Sequence, residues 1–308
     1  MTASIESTSV RRQNVGRSAA VAGVGGLGGG RRRRITPGRV LVVAALLACS
    51  VVFIYPFVWL VSASFKPRGE VFDNQIIPET FTLQNYVQVW QEAPMLLWLG
   101  NTVLVTVLAA TTVTLSSALV AWGFSYFRFP GRNALFGLVL ATMMLPGAVT
   151  MIPTFLIWNA VGLTDTLYPL WAGNLFGSAF YIFLLRQFFL GLPRELFDAA
   201  KIDGANNWQL FSRIALPLTK PAIIVTLLFE FQAAWTDLMR PLIYLRDSSN
   251  FTIPRGLKSL VDRYGFGGEW HWEIIVTASV ITTVPMIILF FLGQRHFVEG
   301  IATTGSKG

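Results

Sequence analysis

Three ionisable side chains, Glu230, Asp237 and Arg240, interrupt an otherwise apolar stretch from Pro221 to Leu245. A charge at the centre of a bilayer costs at least ~2.5–3.5 kcal/mol, so within such a stretch it faces a partner or water. Glu230 and Asp237 are seven residues apart and share one face of a helix. Asp237 and Arg240 are three apart, within reach of a local pair. One reading is a hydrophilic strip along the path of a solute; the other, for Asp237 and Arg240, is a salt bridge near the helix end. Glu230 lies deeper and favours the strip. Pro146 and Pro153 interrupt another apolar run, and Pro56 and Pro285 sit in two more. Proline removes a backbone donor and kinks a helix, and in lipid the freed carbonyl needs a neighbour or a water-lined cavity. Kinked helices around a pathway and ordinary helix curvature both fit these prolines.

Catalytic equipment is missing. The chain contains no G-x-x-x-x-G-K-[ST] phosphate loop, no G-x-S-x-G, no H-E-x-x-H and no Cys/His metal spacing. His271 and His296 are far apart, and the lone Cys49 can form no internal disulfide. Asn250-Phe251-Thr252 fits a glycosylation acceptor, a pattern common by chance. Nothing supports an enzyme or a resident cofactor.

The elements that must position these residues are apolar runs. Of 308 residues, 53% are hydrophobic and 13% charged, against roughly 25% charged in soluble domains. Uncharged runs at about 40–61, 95–121, 133–158, 168–188 and 273–294, with the less pure 221–245, each reach the ~20 residues that cross ~30 Å of hydrocarbon. Six such runs cannot all be core helices of a soluble protein, because too little amphipathic cover remains. We therefore expect an all-α integral membrane protein of six transmembrane helices at 39–294. The net charge of +8 is distributed unevenly. Basic residues crowd the first 39 positions, Arg128 and Arg132, the segment Arg186–Lys220, and the C-terminal end. Acids collect in 62–94, 162–168 and 246–272. Basic loops remain cytoplasmic, which puts both termini and the Arg186–Lys220 segment inside. The Gly- and Arg-rich segment 1–38 reads as a disordered cytoplasmic tail whose arginines meet anionic lipid, not nucleic acid.

Residues 191–218 carry the most specific pattern. Pro193 suits the first turn of a helix and Glu195 its positive end. Glu195–Ile202 are good helix formers, Gly204 can supply a left-handed stop, and a second short helix, Trp208–Ile214, is expected to end before Pro217. The outcome is a projecting knob whose Leu196, Phe197, Ala199 and Ala200 are expected to insert into a groove on a soluble partner.

This loop resembles the E-A-A-x-x-x-G-x9-I-x-L-P signature of ABC importer permeases. Asp198-Ala199-Ala200, Gly204, Ile214, Leu216 and Pro217 fall at its spacing, with aspartate in place of the glutamate. The longer A-A-x-x-D-G-A form, here Ala199 to Ala205 with Asp203, is similar to the carbohydrate-uptake, maltose-type branch. Trp235-Thr236-Asp237 is similar to that branch's W-N-D, with threonine for asparagine, and Gly305-Ser-Lys307-Gly308 to its ending. The short outer loop before the second span looks like the second permease of such a pair. The resemblance implies a type I ABC importer transmembrane-domain fold and a second, homologous permease subunit. It also implies two ATPase subunits that hold ATP and Mg, and an extracytoplasmic solute-binding protein. Loop 191–218 would then be the coupling element, Gly305, Lys307 and Gly308 a tail contact with the ATPase, and Glu230, Trp235, Asp237, Pro146 and Pro153 candidates for the pathway. Rival readings are the same architecture importing a glycerol phosphodiester, polyol or other non-sugar solute, a proton-coupled transporter using Glu230, and a non-transporting scaffold.

Overall fold

A computed structural model of the chain describes residues 37–73, 75–264 and 271–305. Most of the basic tail 1–38 and the residues Lys307 and Gly308 lie outside the described residues. The chain divides into two units, Met1–Val51 and Val52–Gly308. Among the described residues every regular element is helical. Helix α1 runs Pro37–Ala63 with Pro56 inside it, and its residues 40–58 are exposed. Within the second unit α2 (Gln84–Glu92) leads to α3 (Met95–Tyr126), α4 (Arg132–Thr142), α5 (Gly147–Ala160) and α6 (Tyr168–Trp171). A 3-10 turn, Ala172–Phe176, precedes α7 (Ala179–Leu190), α8 (Arg194–Ile202) and α9 (Asn207–Gln209). A π-wound segment, Leu210–Ala215, joins α10 (Leu216–Leu218) and α11 (Lys220–Trp235), and α12 (Met239–Tyr244), α13 (Ile253–Tyr264) and α14 (Trp272–Gly305) complete the order.

Among the described residues three helices are long and apolar enough to cross a bilayer alone: Val40–Ala63, Met95–Tyr126 and Trp272–Gly293. Bent helix pairs bring the candidates to as many as six. The breaks are sharper than the kinks expected at the prolines, and two of the three broken runs have other causes. The run expected at 133–158 is split into α4 and α5, bent by 97°. Pro146 is extended there and cannot continue α4's hydrogen-bond ladder. Pro153, by contrast, is accommodated inside α5. The run 168–188 is broken by the 3-10 turn and by Gly177, whose φ of +80° ends it. The run 221–245 breaks at Thr236–Leu238, where Asp237 Oδ1 accepts the backbone N–H of Arg240 at 3.3 Å, in the first turn of α12. At the other extreme, α14 does not stop at residue 294 but stays helical to Gly305.

Helix α3 is the central element and packs along α7 and α11. Its two ends lie in different apolar clusters. Trp98 and Val105 join Trp235, Tyr244, Leu260 and Ile274, whereas Ala118 and Trp122 join Leu185, Phe189, Phe197 and Phe211. Several buried hydroxyls close onto their own helix, as Thr226 Oγ1 does on the Ala222 carbonyl at 3.0 Å, which satisfies them in an apolar surrounding; the Thr106 and Thr114 hydroxyls of α3 do not. By the first cluster, α13 lies so close to α3 that a Cβ on Gly256 would stand 2.1 Å from Trp98 Cε3. Nearby, Asp165 has a positive φ of 60° and accepts the backbone N–H groups of Arg246 and Asp247 at 2.8 and 3.0 Å. Burial pulls its carboxyl upward, but these donors, with Asn250 and the Arg246 charge, hold it below its ordinary range.

Candidate coupling knob and polar node

The knob begins where α8 turns 75° away from the helical segment that ends at Leu190. Pro193 stands just before its first residue, and Gly204 beyond its last takes φ +85°. No atom lies within 4 Å of where a Gly204 Cβ would be, so conformation alone asks for glycine here. Asn206 and Gln209 form a reciprocal capping box at 2.8 and 2.9 Å that starts α9. The helix expected at Trp208–Ile214 is instead α9 followed by the π-wound stretch, and it does not stop before Pro217. That proline lies in α10, directly after the π-wound segment and within the continuous helical stretch.

Helix α8 has two faces. Phe197 is 3% exposed, its ring 5.3 Å from Trp122 and 5.6 Å from Tyr126. Ala200, Ala205, Ile214 and Leu216 pack against the same cluster. This corrects the expectation that Phe197 inserts into a partner, since its ring is buried in the chain's own core, and Ala200 is partly covered by the same cluster. The open side holds Glu195, Leu196, Ala199 and Asp203, along with Ile202, which is 87% exposed. Trp208 adds a large exposed ring just beyond. Asp198 and Lys201 stand on the exposed edge. The Lys201 ammonium lies 5.3 Å from the Tyr126 ring centroid, and its interaction with Tyr126 holds it above the ordinary lysine range.

The second arrangement is a polar node around Glu230. The Asn174 side-chain amide donates to Glu230 Oε1 at 2.7 Å and to the Ala109 carbonyl at 3.3 Å. Tyr181 interacts electrostatically with the same carboxylate. Ser116 Oγ donates to the Asn174 carbonyl at 3.0 Å, and Ser117 Oγ accepts the Ser178 N–H at 3.0 Å. The break in the run 168–188 is thereby stitched to α3 and α11 by hydrogen bonds. Asp237 is not part of the node. It pairs with Arg240 Nε, whose guanidinium also reaches the Leu170 carbonyl at 3.1 Å, as the local-pair reading of these two residues holds. Trp235 is buried and stacks on Phe231 at 5.7 Å. Pro146 and Pro153 lie on an exposed apolar segment.

Residues 111–303 match the family described as binding-protein-dependent transport system inner membrane component. The chain belongs to that family. It is 34% identical over 260 residues to an arabinooligosaccharides transport system permease protein of Halalkalibacterium halodurans, covering 83% of this chain and 91% of that one. It is 28% identical over 261 residues to a diacetylchitobiose uptake system permease protein of Streptomyces coelicolor, covering 84% and 86%. The fold matches that of a bacterial ABC transporter involved in import of the acidic polysaccharide alginate. The TM-score is 0.77 at 22% identity, over 88% of this chain and all of that one.

The part of this inner membrane component that matches its family takes in both the knob and the node. Two participants were not visible as candidates in the bare sequence. Asn174 has one signal, a lone amide in an apolar run. Ile202 has none, since its exposure depends on which way α8 faces.

Proposed function

We propose that this chain is one of two permease subunits in an ATP-driven, binding-protein-dependent importer of a sugar or sugar-like solute. The names of its relatives, which are permeases for arabinooligosaccharides and for diacetylchitobiose, support the substrate class. The clustering of basic residues in 186–220 and at both ends of the chain supports a cytoplasmic placement for the termini and the knob. With the bent pairs counted, six spans agree in parity with that placement.

One observation carries the coupling role: α8 is anchored through Phe197 on its inner face while Glu195, Leu196, Ala199 and Ile202 remain open. An anchored helix with an open apolar face transmits force from whatever grips it. The ATPase subunits, holding ATP and Mg, would grip that face. Pulling α8 would move α3 through Trp122, and the bent helices would open the path toward a solute-binding protein. The helical stretch to Gly305, with Lys307 and Gly308 beyond, would add a second contact with the ATPase. Glu230 would belong to the path, held ready by Asn174.

The test is co-purification of the ATPase subunits with the membrane-inserted chain carrying Gly204→Asp or a deletion of Ala199–Gly204. Loss of the ATPase with retained membrane insertion is expected. Full recovery of the ATPase with either variant overturns the coupling assignment.

A further inference from the structure

The inner face of α8 leaves room beside its aromatic anchor. A cleft of about 480 Å3 lies between the C-terminal end of α3, the end of α7 and α8. Its apolar floor is made by Trp122, Tyr126, Phe127 and Phe197, and its rim carries Arg128, Arg194 and Lys201 against one acid, Asp198. More cations stand close by. Arg132 donates to the Phe127 carbonyl at 3.2 Å, and the Arg186 guanidinium lies 4.2 Å from the Phe136 ring centroid. Among the described residues none of these five cations forms an ion pair with a carboxylate.

Part of this collar is accounted for by the chain itself, because the carbonyl end of α3 attracts positive charge. One helix end does not need three cations lining a cleft with an aromatic floor and two more beside it. The cleft sits where α3, a helix long enough to span a bilayer, comes to its end, the level at which headgroups lie. Basic pockets between spanning helices take anionic lipid headgroups, and aromatic rings favour the same interface. We propose that this cleft binds the headgroup of an anionic phospholipid, with the phosphate between Arg128, Arg194 and Lys201 and the glycerol and upper acyl chain against Phe127 and Tyr126. Residues 194, 197, 198 and 201 of α8 line the cleft, while Glu195, Ala199 and Ile202 do not. The lipid therefore occupies the face of α8 turned away from the one assigned to the ATPase. The inference needs α3 and α7 to be membrane spans, and not the ATPase assignment.

The test is native mass spectrometry of the full chain released from micelles that contain phosphatidylglycerol or phosphatidylcholine. Selective retention of phosphatidylglycerol is expected, weakened roughly fivefold for each neutralised cation and on the order of a hundredfold in Arg128→Gln/Arg194→Gln/Lys201→Gln. Arg128→Lys/Arg194→Lys should keep the retention. Arg213→Gln, which removes an exposed charge of the same loop that does not line the cleft, should not reduce it. Three results overturn the proposal: wild-type selectivity in the triple variant, an equal loss in Arg213→Gln, or displacement of the lipid by equimolar inorganic phosphate, which would make this a site for a free anion. Because the readout is lipid retention, it fails or succeeds independently of ATPase co-purification.

Discussion

The Asn174 amide and the Glu230 carboxylate stand 2.7 Å apart, so a break in one helical run is fastened to the helix across from it. A hydrogen bond to a charged group contributes ~1.5–3 kcal/mol, and without Asn174 the carboxylate keeps only Tyr181 beside it among the described residues. Asn174→Leu should therefore lower the thermal stability of the purified chain by at least this order. Glu230→Ala, which removes the charge together with its need, should cost less stability and still impair uptake. Normal uptake kinetics in Glu230→Ala would return Glu230 to a purely structural role.

The two faces of α8 predict opposite phenotypes. Phe197→Ala empties a site among Trp122, Tyr126 and Phe211 and should destabilise the chain by on the order of 3–5 kcal/mol. Leu196→Asp and Ile202→Asp change exposed positions, so their melting curves should match the parent while ATPase recovery falls. A Phe197→Ala chain with unchanged melting would contradict the anchoring role.

At Gly204 the backbone sets the rule. With φ +85° and open space at the Cβ, Gly204→Asn should be tolerated best, since asparagine visits the left-handed region readily. Gly204→Val should cost more than the roughly 1–2 kcal/mol typical of an ordinary residue in that conformation. ATPase recovery and melting temperature measured side by side would rank the two.

Gly256 presents the reverse case, in which space decides. Gly256→Ala would press a methyl into the Trp98 ring, and α13 must then lift away from α3. A clear loss of thermal stability is expected, with partial rescue by Trp98→Leu. Absence of any loss would mean that α13 and α3 pack less closely than described.

Asp165 makes stability depend on acidity. Its folded carboxyl titrates below its unfolded value, so its contribution is full above the unfolded pKa of about 3.9 and is lost as pH falls through the lower, folded value. Asp165→Asn keeps an acceptor and tolerates the positive φ, yet removes that dependence. The gap between parent and variant melting temperatures should narrow as pH drops below about 4. A gap independent of pH would exclude a role for the charge.

The apolar runs were legible because hydrocarbon demands length, and length survives without knowledge of neighbours. The 97° bend was half legible: Pro146 announced an interruption but not its size. The interruption at 172–178 was not, because Asn174 and Gly177 acquire meaning only when Glu230, 56 residues from Asn174, comes opposite. The segment Arg194–Ile202 read correctly as a helix, whereas its facing did not. Leu196 and Phe197 are neighbours about 100° apart around the axis, and the turn after α7 decides which of them the core receives. Short-range chemistry set Gly204 and the Asn206–Gln209 box; the tertiary fold set Phe197.

The unbroken course of α14 to Gly305 has a consequence for what lies at its tip. Eleven helical residues past Gln294 extend about 16 Å at 1.5 Å per residue. A tether of that length would blur position and orientation alike, but a rod preserves both. One residue inserted just after Gln294 would rotate everything beyond it by about 100°, an error that a tether would absorb unnoticed. The far end of this helix is thus held in phase with its packed beginning at Glu273 and Ile274, like the tooth of a key cut in line with its bow.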